Sequence, residues 1–393
     1  MLLSFALILL CGMAAGFVCK KIRFPALFGM ILAGIALGPF ALNLIDSSVL
    51  DISAQLRKIA LVVVLIRAGL KLSLDELKKV GRPAVLMCFV PACFEIGGMV
   101  LIAPAVLGIS VIDAAILGAV IAAVSPAVIV PKMIKLIDEK YGTDKAIPQM
   151  ILAGASVDDV FVIVLFTTFT GLAQGESVSP VSFAKIPVSI ILGIAAGLAA
   201  GLVMYLFFKK MHIRDTVKVL IVLCIAFLLC AAEDNWGEII PFASLIGVMA
   251  AGLELRRKAP ELSARLSKRF DKIWVMAEII LFVLVGASVN ITSAMDTGLR
   301  GVLLILAVLV FRIIGVLVCL IGTKLNLRER IFCMLAYTPK ATVQAAIGGL
   351  PLAMGLSCGN VVLTVSVIAI LLTAPLGAFA IDLTHKKFLR HEE

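Results

Sequence analysis

Apolar runs, each long enough to cross a hydrocarbon core of about 30 Å, follow one another along nearly the whole of this 393-residue chain. Only 15% of the residues are charged, against about 25% in soluble domains. That pattern excludes a soluble enzyme, a nucleic-acid-binding module and a disordered scaffold. It reads instead as thirteen spans: 1–19, 25–43, 55–70, 83–108, 112–131, 147–172, 182–208, 216–232, 239–254, 273–292, 299–322, 329–355 and 360–381. The connections between them are too short to hold a soluble domain. Met1–Cys19 lacks a basic leader, and Lys20, Lys21 and Arg23 follow it, so it reads as a first span rather than a signal peptide.

Basic residues set the expected orientation. Of the 35 Lys and Arg, 28 fall in alternate connections and the C-terminal tail. The opposite connections hold Arg57, Lys58, Lys185 and Arg300, while Arg67, Arg312 and Lys340 lie inside spans. This bias predicts a multi-pass protein of the plasma (inner) membrane with its N-terminus outside and its C-terminus cytoplasmic. The net charge of +10 then reflects topology and contact with anionic lipid headgroups, with no nucleic-acid partner. The nine cysteines fall within spans or at their edges and lack metal-site spacing, so they read as packing residues.

Spans 1–6 and 8–13 pair across a connector at 182–208, giving a first repeat over about 1–172 and a second over about 216–381. Each partner lies seven spans further along, an odd offset, so partners run in opposite directions, the inverted-topology design of many secondary transporters. Span 5 reads Ser125-Pro126-Ala127-Val128-Ile129-Val130-Pro131, and its partner reads Thr338-Pro339-Lys340-Ala341-Thr342-Val343-Gln344. Proline removes a backbone donor and crowds the preceding turn. Pro126, Pro131 and Pro339 therefore predict matching broken helices, whose freed N–H and C=O groups near mid-membrane can hold ions or charged side chains.

Seven formal charges sit well inside apolar spans: Arg67, Glu95, Asp158, Asp159, Glu278, Arg312 and Lys340. Unpartnered at a helix centre, each costs about 2.5–3.5 kcal/mol on insertion scales, so each needs a partner or a function. Asp158 and Asp159 are adjacent and diverge by about 100° on a helix. One can take a basic partner while the other faces a water-filled cavity and exchanges a proton for a small cation. A hard cation such as Na+ or Li+ suits oxygen ligands: the two carboxylates, the hydroxyls of Ser125 and Ser156, and freed carbonyls. Glu95, Asp158, Arg312 and Lys340 are expected to form a network of two acids and two bases, leaving Asp159 as the carrier. For Glu95 and Lys340 a structural role is as good a reading as a mechanistic one. Arg67, four residues before Lys71, is expected to snorkel or to line a cytoplasmic funnel. Glu278 is expected at the interface or against the bundle.

These stretches, with Ile66-Arg67-Ala68-Gly69-Leu70, Ala123-Val124-Ser125-Pro126, Ser156-Val157-Asp158-Asp159, Leu284-Val285-Gly286-Ala287 and Pro339-Lys340-Ala341-Thr342-Val343-Gln344, resemble the cation/proton antiporter superfamily. The resemblance is strongest to bacterial relatives of the mammalian sodium/hydrogen exchanger B (NHA-type) subfamily. It implies an all-α polytopic membrane protein with an NhaA/NapA-like antiporter fold and crossed discontinuous helices. It further implies a core, ion-transport subdomain over about 83–172 and 299–381, a dimerisation subdomain over about 1–70 and 182–292, a homodimer, and elevator-type alternating access. Asp159 would be the main cation and proton carboxylate, and Asp158 would be tied to the base of span 11. No cofactor is expected, since Na+, Li+ and H+ are cargo, and the protein would not be an enzyme. Gly12 and Gly16, and Gly193, Gly197 and Gly201, form small-residue surfaces that suit either intramolecular packing or a dimer contact.

Many antiporters of this kind carry Lys where this chain has Arg312. Guanidinium keeps its proton where a buried lysine can lose it, which favours electroneutral one-for-one exchange. Two-for-one exchange survives if Asp158 or Lys340 carries the second proton. The alternatives are K+/H+ exchange on the same scaffold, a Na+-coupled organic-anion carrier, a channel, and an intramembrane aspartyl protease. A protease would place its two carboxylates on separate helices facing one peptide bond.

Overall fold

The computed structural model describes residues 1–22, 24–71, 81–174, 180–211, 213–236 and 242–392, with the backbone alone at 156, 160, 180–187, 190 and 291–297. The helices are α1 (Leu2–Lys21), α2 (Ala26–Leu37), α3 (Ser47–Asp51), α4 (Ser53–Lys71), α5 (Arg82–Met87), α6 (Val90–Leu107), α7 (Val111–Ala122), α8 (Pro126–Asp138) and α9 (Ile147–Ala173). There follow α10 (Pro180–Lys210), α11 (Asp215–Trp236), α12 (Ser244–Lys258), α13 (Pro260–Ala287), α14 (Ile291–Cys319), α15 (Leu327–Ala336), α16 (Thr342–Ile347), α17 (Leu350–Ala353) and α18 (Gly359–Phe388). Among the described residues, eight helical stretches are long and apolar enough to cross a membrane, with Arg82–Leu107 and Val111–Asp138 each taken as one crossing. The other apolar stretches read from sequence are short, charged or interrupted. Ala26–Leu37 has 12 residues, about 18 Å of helix, and α4 carries Arg57, Lys58, Arg67 and Lys71.

The two breaks follow from proline chemistry. A residue preceding proline is pushed out of the α region. Ser125, before Pro126, has φ −89° and ψ 111°, and Ala123 is also extended, so α7 stops at Ala122 and α8 restarts with Pro126 in its first turn. In the second half, Pro339 lies in the segment between the end of α15 and the start of α16. Pro131, expected to belong to the first break, instead lies inside α8, which continues through it. Its ring removes one N–H, but the neighbouring turns hold. A third interruption was not expected: Cys88 and Phe89 separate α5 from α6, with Pro91 in the first turn of α6.

The chain divides into two compact units. One comprises residues 1–57, 75–174 and 279–393, and the other 58–74 and 175–278. In the first, α14 packs along α6, α9 along α7 and α8, and α18 along α14 and α15. Its helices approach closely where side chains are absent. A Cβ on Gly34 would meet the Val283 carbonyl oxygen at 2.0 Å, and Gly12 faces Ile279 and Val283. In the second unit, Gly193, Gly197 and Gly201 of α10 lie against the backbone of Ala243, Gly247 and Ala251 along α12. The glycine surfaces read from sequence are therefore taken up by packing within the chain. All nine cysteines are free thiols.

Helix caps fix the approaches to the breaks. Asn326 and Glu329 form a reciprocal capping box at the start of α15, satisfying two orphan donors. Glu329 also takes Lys145, on the loop entering α9, at 2.8 Å. One carboxylate thus ties the second interrupted helix to the helix that carries Asp158 and Asp159.

Candidate functional site

The two breaks meet. The Ser125 N–H donates to the Pro339 carbonyl at 2.8 Å, and α9 runs past this crossing with its paired aspartates inward. Ser125, Asp158, Asp159, Arg312, Lys340 and Gln344 are all at most 2% exposed. Burying so many polar groups is tolerable only with partners, and most of them have one.

Arg312, in the middle of α14, is the hub. Its Nε donates to the Tyr337 carbonyl at 2.6 Å, one terminal nitrogen donates to Glu95 Oε2 at 2.7 Å and to the Ala122 carbonyl, and the other reaches Asp158 Oδ2 at 3.2 Å. The guanidinium also lies 5.0 Å above the Tyr337 ring. Its planar fork can serve a carboxylate on each side and the freed carbonyl ends of both interrupted helices at once. Glu95 Oε2 accepts from Lys340 Nζ as well, at 2.6 Å. Asp158 Oδ2 takes the Val124 N–H, at 2.8 Å, inside the first break.

Four of the seven intramembrane charges therefore form one contiguous cluster: two acids, Glu95 and Asp158, and two bases, Arg312 and Lys340. Its formal charge is zero. Asp159 stands outside it, and among the described residues its Oδ1 has no hydrogen-bond partner, like Asp158 Oδ1, Glu95 Oε1, Ser125 Oγ, Thr342 Oγ1 and Gln344 Oε1. An ionised Asp159 would leave one uncompensated negative charge in a low-dielectric site, which is costly. A bound proton or a monovalent cation removes that charge. Ser156 lies on α9, but its side chain is outside the described residues.

Freed carbonyls were expected to hold ions or charged side chains, and several of them take the chain's own donors. The Ala122 and Tyr337 carbonyls accept from Arg312, Pro339 from Ser125, and Ile121 and Ala123 from Gln344.

The remaining charges lie elsewhere. Arg67 binds Asp271 through Nε at 2.9 Å and through a terminal nitrogen at 2.7 Å, shares that carboxylate with Lys71, and covers the Trp274 ring at 5.1 Å. It is a part-buried, ion-paired residue of the second unit. Glu278 is half-buried and has a partner.

Three participants escaped sequence reasoning. Tyr337 supports Arg312 and donates its hydroxyl to the Met87 carbonyl at 2.9 Å. Thr373 Oγ1 accepts the Lys340 N–H at 2.9 Å. Gln344 clamps the end of α7. Tyrosine is rare here, with three in the chain, and the adjacency of Tyr337 to Thr338-Pro339 was the available signal. Thr373 carries no local signal, because its partner is 33 residues away.

Two proline-interrupted helices crossing beside a buried, charge-balanced cluster define a polytopic helical membrane transporter. A family model described as sodium/hydrogen exchanger, transmembrane, matches residues 5–386. Mouse sodium/hydrogen exchanger 9B2 is 32% identical, covering 98% of this chain and 73% of that protein. The human protein of the same name is also 32% identical, covering 94% and 70%. In structure, the sodium proton antiporter MjNhaP1 of Methanocaldococcus jannaschii matches with a TM-score of 0.85 at 21% identity, covering 98% of this chain and 97% of that one. The chain belongs to the sodium/hydrogen exchanger family, within the cation/proton antiporter superfamily. It is a multi-pass membrane protein from a family of transporters rather than enzymes.

Proposed function

We propose that this protein is a secondary-active Na+(Li+)/H+ antiporter in which Asp159 alternately carries a proton and a monovalent cation. The observation that carries this reading is the charge balance at the crossing. Glu95, Asp158, Arg312 and Lys340 compensate one another, and the adjacent buried Asp159, with an unpartnered oxygen, is left for cargo. Asp158, Ser125 and Ser156 are proposed to complete the oxygen set around the cation. Arg312 holds Asp158 and the ends of both interrupted helices, and so positions the site.

One exchangeable charge gives one cation per proton. Arg312 keeps its proton, and Lys340 is committed to Glu95, so exchange is proposed to be electroneutral. The wider architecture is proposed from the family resemblance: thirteen spans in an inverted repeat, the core and dimerisation subdomains, a homodimer, and elevator-type alternating access. The N-terminus is proposed outside and the C-terminus in the cytoplasm of an inner membrane, in contact with anionic lipid.

The test is proteoliposome flux with Na+, Li+ and K+ at several pH values. Cation-dependent proton movement is expected with the unmodified chain and is abolished in Asp159→Asn. Substantial exchange by that variant would sink the assignment of Asp159. A preference for K+ over Na+ would replace the proposed substrate on the same scaffold.

A further inference from the structure

Gln344 does something at the crossing that its sequence position did not announce. It is 1% exposed, on the short half-helix α16 of the second half. Its side-chain Nε2 reaches across to the first half and donates to two carbonyls at the end of α7, Ile121 at 3.1 Å and Ala123 at 2.8 Å. Both protons of the amide are thereby used. Two consequences follow. Those carbonyls, which an interrupted helix in a transporter ordinarily offers to its ion, are engaged with a donor. The amide is also locked in orientation, so its oxygen is aimed away from them.

That oxygen, Gln344 Oε1, is buried and has no hydrogen-bond partner among the described residues. Five other buried oxygens of the site are in the same condition among the described residues, Ser125 Oγ and Asp159 Oδ1 among them. Between the carbonyls held by Gln344 lies Ala122, whose carbonyl takes Arg312, and next to Ala123 lies Val124, whose N–H holds Asp158. The glutamine therefore sits within a residue or two of the aspartate pair's own anchor. A serine hydroxyl can rotate to find a partner, but a doubly clamped amide cannot. A neutral, fixed, hard oxygen of this kind suits a hard monovalent cation.

We propose that Gln344 is a selectivity-determining ligand of the transported cation. Its NH2 pins the end of α7, and its Oε1 supplies an oxygen from the second repeat to an ion held by Asp159 of the first. This rests on the cation-exchange reading of Asp159. Because the oxygen's position is fixed by two hydrogen bonds, it favours one ionic radius over another rather than adapting to each.

The experiment compares the unmodified chain with Gln344→Leu and Gln344→Asn in proteoliposomes. KM and maximal rate are measured separately for Na+, Li+ and K+. Cation-induced shifts in the melting temperature of the purified proteins give binding without transport. Gln344→Leu removes the oxygen and both donors at similar size. Gln344→Asn keeps the amide but draws it back by one methylene, and serves if the leucine variant does not fold. The expected result is a change of roughly five-fold or more in the ratio of KM values between cations, matched by the binding shifts. Wild-type ratios, with only the maximal rate or the unliganded melting temperature lowered, would overturn the ligand role and leave a structural clamp. If the unmodified chain itself exchanges no cation, the exchange reading fails. If it exchanges normally and the variants keep its ion ratios, only the role of Gln344 fails.

Discussion

At the scale of single residues, the decisive fact is how differently two adjacent aspartates are treated. Asp158 Oδ2 is held by Arg312 and the Val124 N–H, whereas Asp159 is buried beside them outside the ion-pair cluster. Removing one member of a buried pair costs about 3–5 kcal/mol, because the other charge is left uncompensated, while replacing both by apolar groups can be neutral. Glu95→Leu should therefore strongly lower the melting temperature, and adding Lys340→Met should recover most of the loss. That double variant retains the Arg312–Asp158 pair and should retain exchange. A double variant as unstable as Glu95→Leu alone would show that Glu95 serves Arg312 more than Lys340. Thr373→Val should cost about 1–3 kcal/mol, the usual penalty for an orphaned buried donor, since the Lys340 N–H loses its acceptor. Thermal unfolding in detergent measures both effects.

At the scale of elements, the site depends on backbone that is not helical where its neighbours are. Proline ends or starts a half-helix only where the preceding residue can become extended and where side chains from elsewhere satisfy the freed groups. Ser125, before Pro126, is extended, the residues around Pro339 are not helical, and Pro131 does not interrupt α8. The spacing of α18 from the second break is set by Gly377, where a Cβ would stand 2.4 Å from Pro339 Cγ. Gly377→Ala should push α18 and the Pro339 segment apart, lowering both thermal stability and transport rate. The same change at Gly97, where a Cβ meets nothing within 4 Å, should leave both unaltered. Equal effects at the two positions would mean that the contact does not hold the break in place.

At the scale of the whole molecule, the zero formal charge of the four-residue cluster bears on energetics. If the cluster keeps its charge state through the cycle and only Asp159 changes occupancy, the same charge crosses in each direction. Flux should then be insensitive to a clamped membrane potential, within about two-fold over 100 mV, where moving one net charge would be worth about 2.3 kcal/mol. Arg312→Lys substitutes a base that can release its proton and should introduce a voltage response. A steep voltage dependence in the unmodified chain would assign proton carriage to a second group, with Lys340 the first to examine by Lys340→Met.

Sequence alone determined that the chain is a polytopic helical membrane protein. It located the breaks at Ser125-Pro126 and Thr338-Pro339, and it gathered Glu95, Asp158, Arg312 and Lys340 as charges in need of one another. Hydropathy, proline chemistry and the cost of a buried charge are local or additive properties, so they can be read along a line. The tertiary structure decided which groups meet. Only folding put the Tyr337, Ala122 and Glu95 oxygens around one guanidinium, sent the Gln344 amide across to Ile121 and Ala123, and set Thr373 against Lys340. Those contacts join residues far apart in the chain and depend on helix rotation and distance, which no periodicity records. For the same reason the sequence could say only that freed carbonyls at the breaks would hold ions or charged side chains, and the folded chain decided which donors reach which carbonyl.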